Sequence, residues 1–257
     1  MTVTFKDYFS EDSSQYGRYR PDYPAALYAH LAALSGQKLK AWDCATGNGQ
    51  AALQLAEYFA EVIATDASDA QIRNAVVTDN ICYRVASAEN SGIASDSINL
   101  IAVAQAFHWF NIEAFSIEAD RVLKEGGILA IWTYNLLSIS TGIDEIVNHL
   151  YHSTLGDFWP FERRMVESGY RDIQLPFQEL DAPALHMSSE WCLPQLIGYL
   201  GTWSAVKKYR HKTGKHPIEP LYDDIRDAWG EPDKLLPVHW PLSVRIWRKQ
   251  EGRRQCD

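Results

Sequence analysis

Two aspartates and two glycines carry the clearest chemistry in this chain. Asp43 ends the run Lys38-Leu39-Lys40-Ala41-Trp42 and is followed by Cys44-Ala45-Thr46-Gly47-Asn48-Gly49-Gln50; Asp66 ends Glu61-Val62-Ile63-Ala64-Thr65. The pattern describes a strand, a turn tight enough to need glycine, a helix, and a second strand bringing a carboxylate to the same sheet edge. A dinucleotide site would read G-x-G-x-x-G, with the helix N-terminus facing a pyrophosphate. Ala52 stands in the third place, which weakens that reading without abolishing it, and Asp43 is the stronger objection. A carboxylate in the turn repels phosphate but accepts hydrogen bonds, directly or through water, from an ammonium group.

A ligand suited to this edge joins an amino-acid end, a ribose diol and an adenine and has no phosphate, as in S-adenosylmethionine. The two oxygens of Asp66 can accept both ribose hydroxyls. Backbone groups of Ala88, just ahead of Glu89, could meet the adenine edge. Plainer readings stand beside these: Asp66 as the cap of the turn at Ala67-Ser68, and Glu89 as an ordinary loop glutamate.

Such residues need a parallel sheet behind them. Leu27, Leu31 and Leu34 share one face of a helix over 22–34 that ends near Ser35-Gly36. Strands are expected at 39–44, 62–65, 81–86, 98–104 and 128–134. Between them, helices are expected at 49–58, from the Ser68-Asp69 cap towards Val77, and from the Asn111 cap to 123–127. The nearly unbroken apolar run at 98–104 suits a sheet covered on both faces. Strands and helices alternating in this way give a doubly wound α/β unit with right-handed crossovers.

Beyond Tyr134 the pattern weakens. Residues 141–155 and 189–210 read as helical, Ile173-Gln174-Leu175 as a sixth strand, and the alternating segment 242–247 as a seventh. The expected organisation is an N-terminal lid and first helix (1–36), an S-adenosylmethionine-binding core (37–135), a substrate cover containing the sixth strand (136–236), and a final strand and tail (237–257).

With 257 residues, 46% of them hydrophobic, the chain can fill the core of one large domain. The start, Met1 to Ser14, carries Asp7, Glu11 and Asp12 without a basic segment ahead of an apolar run, which does not read as a secretory signal. No run approaches the roughly 18 apolar residues of a membrane span, and a cytoplasmic location is expected. Cys44, Cys82, Cys192 and Cys256 lie far apart and form no C-x-x-C pair, which fits a reduced compartment, two of them in apolar strand contexts that suit buried thiols. A net charge of -9 disfavours a nucleic-acid partner gripped by its phosphates, and Lys207 to Lys212 reads as a solvated helix end. His149 and His152 are three apart with no third ligand nearby, so no metal is expected. The partner expected is a small molecule, and the chain a monomer or homodimer.

The sequence resembles the class I S-adenosylmethionine-dependent methyltransferases, particularly the type 11 small-molecule group that includes ubiquinone-biosynthesis-type and trans-aconitate methyltransferase-like enzymes. The family motif D-x-G-x-G-x-G is met by Asp43 to Gly49, with Ala45 in the first glycine position. The likeness continues through Asp66, Ala88-Glu89, the segment Ile98 to Phe110, Ser14-Gln15-Tyr16 with Tyr19 to Pro24, and Gly198 to Ala205, which is similar to a substrate-cover helix. It implies a Rossmann-like doubly wound seven-stranded sheet with the last strand antiparallel, plus a helical substrate cover. It also implies S-adenosyl-L-methionine as cofactor, S-adenosyl-L-homocysteine as product, and a cofactor site formed by Tyr16, Arg20, Asp43, Ala45, Gly47, Gly49, Asp66, Ala67, Ala88, Glu89 and Gln105. Tyr16 would approach the cofactor and Arg20 would bind its carboxylate.

The expected reaction is methyl transfer to a small molecule, foremost O-methylation of an organic carboxylic acid. A carboxylate acceptor needs no general base, whereas a phenol or an enolisable carbon does. His108, after the fourth strand, could serve as that base, orient the substrate by a hydrogen bond, or be structural. Trp109 and Phe110 could wall the pocket, and Tyr199 and Trp203, four apart on one helical face, could floor it or belong to the core. Arg20 with Lys207 or Lys208 could steer an anionic acceptor. Two competing functions remain: an NAD-dependent oxidoreductase, which shares the sheet but not Asp43, and a non-catalytic nucleoside-binding regulatory module, suggested by Ala45. The lack of an Asn-Pro-Pro-Tyr-like tetrad argues against transfer to the amino group of a flipped base.

Overall fold

The computed structural model describes residues 19–250; Tyr16 and Cys256 lie outside the described residues. In chain order the first half runs α1 (Ala25–Leu34), β1 (Lys40–Cys44), α2 (Gln50–Ala56), β2 (Glu61–Asp66), α3 (Asp69–Arg73), β3 (Ile81–Val85), β4 (Ile98–Ala104), a 3-10 turn (Phe107–Trp109), α4 (Ile112–Val122) and β5 (Leu123–Tyr134). The second half runs α5 (Thr141–His149), a π turn (Leu150–Thr154), α6 (Arg163–Glu167), β6 (Gln178–Leu180), β7 (His186–Trp191), α7 (Leu193–Gly201), α8 (Ser204–Thr213), α9 (Tyr222–Trp229) and β8 (Leu236–Arg248).

The strands form a sheet in the order β3-β2-β1-β4-β5-β8-β6, with β7 also paired to β8. The neighbours from β3 to β5 are parallel. The last strand, β8, runs antiparallel to β5, as expected for the Rossmann-like arrangement. Strand order reverses between β1 and β4, and such a reversal opens a crevice at the carboxyl ends of the strands. Asp43 stands on that rim, paired with Ala64 on one side and Ala102 on the other.

Alternation along each strand sends side chains into two cores. Leu100 and Ala102 of β4, with Ala41, Ala64, Ala130 and Trp132, face one; Ile101 and Val103, with Trp42, Ile63, Leu129 and Ile131, face the other. The segment Ile98–Ala104 is therefore a strand throughout, buried along its apolar length. Ser68 and Asn111 cap their helices by accepting the N–H groups of Gln71 and Ala114 at 3.4 and 3.1 Å.

Four expectations change. There are eight strands among the described residues instead of seven. Ile173 to Leu175 is not a strand, because Arg245 Nη1 gathers the carbonyls of Tyr170, Arg171 and Ile173 at 2.5–3.1 Å and turns them away from any ladder; the pairing strand is β6, a few residues later. The region 189–210 opens as β7, paired with the first half of β8, and then holds two helices separated at Thr202-Trp203. Finally, α4 passes directly into β5, which begins at Leu123 opposite Ile98; the register shifts before Leu100, and Gly126 supplies a φ of +72° there.

Candidate functional site

The turn after β1 has a handedness that few residues accept. Ala45, Gly47 and Gly49 have φ values of +57°, +58° and +91°. A Cβ on Gly49 would lie 2.2 Å from the Tyr83 hydroxyl, so that position excludes every side chain. Ala45 holds its left-handed backbone despite its methyl group, at a typical cost of about 1–2 kcal/mol. The Thr46 N–H bonds Thr65 O at 2.9 Å, tying the turn to β2.

Asp66 clamps the same turn. Its Oδ2 accepts the Gly47 N–H at 2.9 Å and its Oδ1 accepts the Ser68 N–H at 2.8 Å. The capping role holds the carboxylate at the turn, where the ligand role would need it. Ala67 beside it is exposed.

Asp43 is fully buried and accepts a hydrogen bond from the Thr46 hydroxyl. Its Oδ1 has no hydrogen-bond partner of good geometry among the described residues, although the Ala52 amide also favours its charged form. Burial, opposed by those two groups and aided by the nearby Asp66 charge, pushes its carboxyl up to about 7. The hydroxyls of Tyr28 and Tyr83 are likewise buried without a partner among the described residues, and both feel the Asp43 charge. Such orphaned polar atoms around a carboxylate at a strand end fit a ligand with a positive, donor-bearing group.

Further along the rim, Ala88 is buried and Glu89 Oε1 accepts the Asn111 N–H at 3.0 Å, which ties this loop to the start of α4. Gln105 has a φ of +52° and spends its side chain on β5: Oε1 accepts the Tyr134 N–H at 2.9 Å and Nε2 donates to Tyr134 O at 3.2 Å. Its backbone N–H likewise donates to Trp132 O at 2.9 Å.

A cavity adjoins this edge under the helical cover. Arg20, Gln105, His108, Trp109 and Tyr134 line it from the core side; Trp159, Pro160, Arg163, Tyr199, Trp203 and Ser204 line it from the cover. The Arg20 Nη1 donates to the Tyr134 hydroxyl at 2.6 Å, and its guanidinium stands 5.6 Å from the Tyr199 ring centre. Arg163 lies over the rings of Trp159 and Tyr151 at 5.0 and 5.5 Å and donates from Nε to the Tyr151 hydroxyl at 2.8 Å. Tyr199 and Trp203 are buried and pack edge to face at 5.9 Å, so they are cavity wall and core at once. Phe110 packs against Phe107 and Phe115 at 5.7 and 5.0 Å and is absent from the cavity wall.

His108 is buried, with Nδ1 2.8 Å from the Tyr170 hydroxyl and its ring 4.6 Å from that of Trp109. Burial, aided by the Arg163 charge, lowers its pKa to about 3, so the imidazole is neutral at physiological pH. That value makes it a weak general base.

The structure thus gathers Asp43, Ala45, Gly47, Gly49 and Asp66 at one strand-end turn, and Arg20, Gln105, His108, Trp109, Tyr199 and Trp203 around one cavity. Lys207 and Lys208 sit on α8 outside the cavity wall, and the second guanidinium there is Arg163, which the sequence reading missed. Arg163 has only its aromatic neighbours Trp159 and Phe161 as a signal. His149 and His152 are exposed, and no group of three metal-binding side chains occurs among the described residues. Cys44 is buried as expected for a strand thiol, but Cys82 is exposed because β3 is the sheet edge. No described helix is long and apolar enough to cross a membrane.

A family model described as a methyltransferase domain matches residues 42–131, the stretch from β1 to β5. A Dictyostelium discoideum protein assigned as a methyltransferase is 34% identical over 96% of this chain and 96% of its own length. A Saccharomyces cerevisiae protein assigned as an S-adenosylmethionine-dependent methyltransferase is 30% identical over 48% of this chain and 45% of its own. Among solved structures, an Anaeromyxobacter dehalogenans protein assigned as a type II methyltransferase superposes with a TM-score of 0.85 at 41% identity, covering 91% of this chain and all of that one.

Proposed function

The chain belongs to the class I S-adenosylmethionine-dependent methyltransferases, and from that premise we propose that it methylates a small organic acid on a carboxylate oxygen. Family membership sets aside the nicotinamide alternative. The observation that carries the substrate reading is the cavity beside the glycine turn, where the guanidinium groups of Arg20 and Arg163 stand among Trp109, Trp159, Tyr199 and Trp203. Guanidinium groups bind carboxylates in a fixed fork geometry, and aromatic walls exclude water around them.

When bound, the cofactor supplies an electrophilic methyl group on a sulfonium. Asp43 would face its ammonium and Asp66 its ribose diol, with the backbone of Ala88 against the adenine. Ala45, Gly47 and Gly49 shape the turn for that approach, and the Asp66 hold on the Gly47 N–H keeps it in place. Glu89 maintains the adenine-side loop through its bond to Asn111, and Gln105 pins the β4 end to β5. Arg20, at the seam between turn and cavity, would hold the cofactor carboxylate, leaving Arg163 for the acceptor.

A carboxylate acceptor arrives already deprotonated, so catalysis reduces to positioning and exclusion of water. This agrees with a neutral His108 whose pKa lies far below the working range. His108 orients the acceptor by a hydrogen bond and does not take its proton. Residues 136–236 act as the substrate cover in this reading.

Radiolabelled methyl transfer to pooled dicarboxylates, tricarboxylates, aromatic acids and phenols tests the proposal. We expect label in the acid pools, released by mild base as from a methyl ester. Base-stable label in phenols would contradict it. Binding of S-adenosylhomocysteine with no transfer to any pool or to cell extract would favour the non-catalytic module.

A further inference from the structure

Arg163 reaches the cavity already held by the cover. Its Nε donates to the Tyr151 hydroxyl at 2.8 Å, and that hydroxyl lies 2.7 Å from Glu167 Oε1. The groups themselves fix the direction of both bonds: a guanidinium can only donate and a carboxylate only accept, so the phenol accepts from Arg163 and gives its single proton to Glu167. Burial, opposed by Arg163 and aided by Glu167, pushes the phenol up to about 12, and it keeps that proton at physiological pH. Tyr151 stands in the π turn after α5, with its ring against those of Trp159 and Trp203 at 4.6 and 5.7 Å. Its carbonyl accepts the Trp159 indole N–H at 3.0 Å. One residue therefore sets both the guanidinium and the aromatic wall beside it.

What remains of Arg163 defines what it can take. Among the described residues the bond to Tyr151 is its only hydrogen bond, and no carboxylate pairs with it directly. With Nε spent, the side-on fork of Nε and one Nη is closed; the end-on pair of Nη1 and Nη2 is left, and it matches one carboxylate. The described residues that line the cavity include two cations and no carboxylate. One cation, Arg20, stands at the cofactor seam and is bonded to the Tyr134 hydroxyl. The rest of the wall carries no charge: Trp109, Trp159, Tyr199 and Trp203 dominate it, and His108 is neutral. A second carboxylate on the acceptor would lose its water with no further cation to meet it, and a buried unpaired charge is strongly disfavoured. Flat apolar groups, by contrast, gain by packing on aromatic faces.

We infer that the acceptor is a monocarboxylic acid with a flat apolar body, its carboxylate taken end-on by Arg163, and that Tyr151 and Glu167 are positioning residues for that guanidinium. The inference deepens the proposed function and rests on it for the methyl transfer alone. Within the acid pools it selects benzoate-like and cinnamate-like acids over dicarboxylates and tricarboxylates. Glu167 has a defined part in this: it anchors the phenol that holds Arg163 yet stays one hydroxyl away, so the cation is fixed in place without a carboxylate of the protein occupying its fork.

Binding reads this site without any methyl transfer. With the protein saturated in S-adenosylhomocysteine, titration calorimetry would compare benzoate with terephthalate and cinnamate with para-carboxycinnamate. In the tighter-binding pair the monoacid should bind at least about tenfold more tightly than the diacid. Equal or tighter binding of the diacid in that pair, or no binding by any of the four, would overturn the substrate assignment. Tyr151→Phe keeps the ring on Trp159 and Trp203 and removes the hydroxyl. It should weaken the preferred monoacid by about tenfold, the value of one hydrogen bond to a charged group, and raise its KM with little change in kcat, while S-adenosylhomocysteine affinity holds. Glu167→Leu should reproduce the loss, and Glu167→Gln, whose amide oxygen still accepts the phenol proton, should restore most of it. Wild-type affinity in Tyr151→Phe, a parallel loss of S-adenosylhomocysteine binding, or a Glu167→Gln variant no better than Glu167→Leu would overturn the positioning role. Monoacids that bind as described but are never methylated would refute the proposed transfer and leave this site standing, so the two failures are told apart.

Discussion

The glycine turn and the cavity beside it are built on opposite plans. The turn is local: Asp43, Ala45, Gly47 and Gly49 lie within seven residues, and backbone handedness with two carboxylates does the shaping. The cavity is assembled from distant parts of the chain, with Arg20 ahead of α1, His108 after β4, Arg163 opening α6, and Tyr199 and Trp203 on and after α7. The turn is acidic and the cavity basic and aromatic. Ligands of opposite character can therefore be held side by side, and damage to one region, Arg20 at the seam apart, should leave the other's ligand in place.

The largest break of that division is expected from Asp66→Ala. It removes the clamp on Gly47 N–H and the acceptor for the ribose diol, two bonds to a charged group worth about 1.5–3 kcal/mol each. Titration calorimetry should show S-adenosylhomocysteine affinity falling by at least about a hundredfold. Next comes Arg163→Met, which should raise the acceptor KM by about ten- to a hundredfold, the value of one charge-assisted pair, while cofactor affinity measured in the same titration stays unchanged. If Arg163→Met instead weakened the cofactor, the division would fail.

A pH experiment sharpens the comparison. The folded pKa of Asp43 is raised from 3.8 to about 7, so over that interval the native protein keeps a proton that the unfolded chain has lost. Stability should fall as pH rises through the window, and the penalty should be fully developed above pH 7. Asp43→Asn should remove the slope and stabilise the unliganded protein at pH 8 by an amount on the order of 2–4 kcal/mol, while weakening cofactor binding. Thermal melts from pH 4 to 8 would check it. The smallest effect belongs to Ala45→Gly: relief of the left-handed strain and the added chain entropy of glycine nearly cancel. Its Tm should move by only a few degrees and cofactor affinity should not fall.

The same contrast explains what could be read from the residues alone. A strand buried on both faces has a continuous apolar sequence, and Ile98–Ala104 was legible to the residue. Carboxylates at strand ends are equally visible because the sheet fixes where they point. The start of β8 was hidden by Pro237 and Pro241, which cannot donate to a ladder yet pair opposite Glu190 and His186. Ile173 looked like a strand residue but its carbonyl answers to Arg245, a partner 72 residues away. Arg163 had no periodic signal since α6 is five residues long, and only tertiary packing places it in one cavity with Arg20 and His108. Tyr170 was invisible for the same reason, its left-handed backbone following Gly169, where a Cβ would strike the Ser243 hydroxyl at 2.5 Å.

The most direct test of the carboxylate-lined turn is a pair of titrations of the wild-type protein at pH 7.5, one with S-adenosylhomocysteine and one with NAD. Saturable one-to-one binding of the sulfur nucleoside, and none of the dinucleotide, is the result this structure predicts. Binding of NAD with no response to S-adenosylhomocysteine would contradict the account at its root.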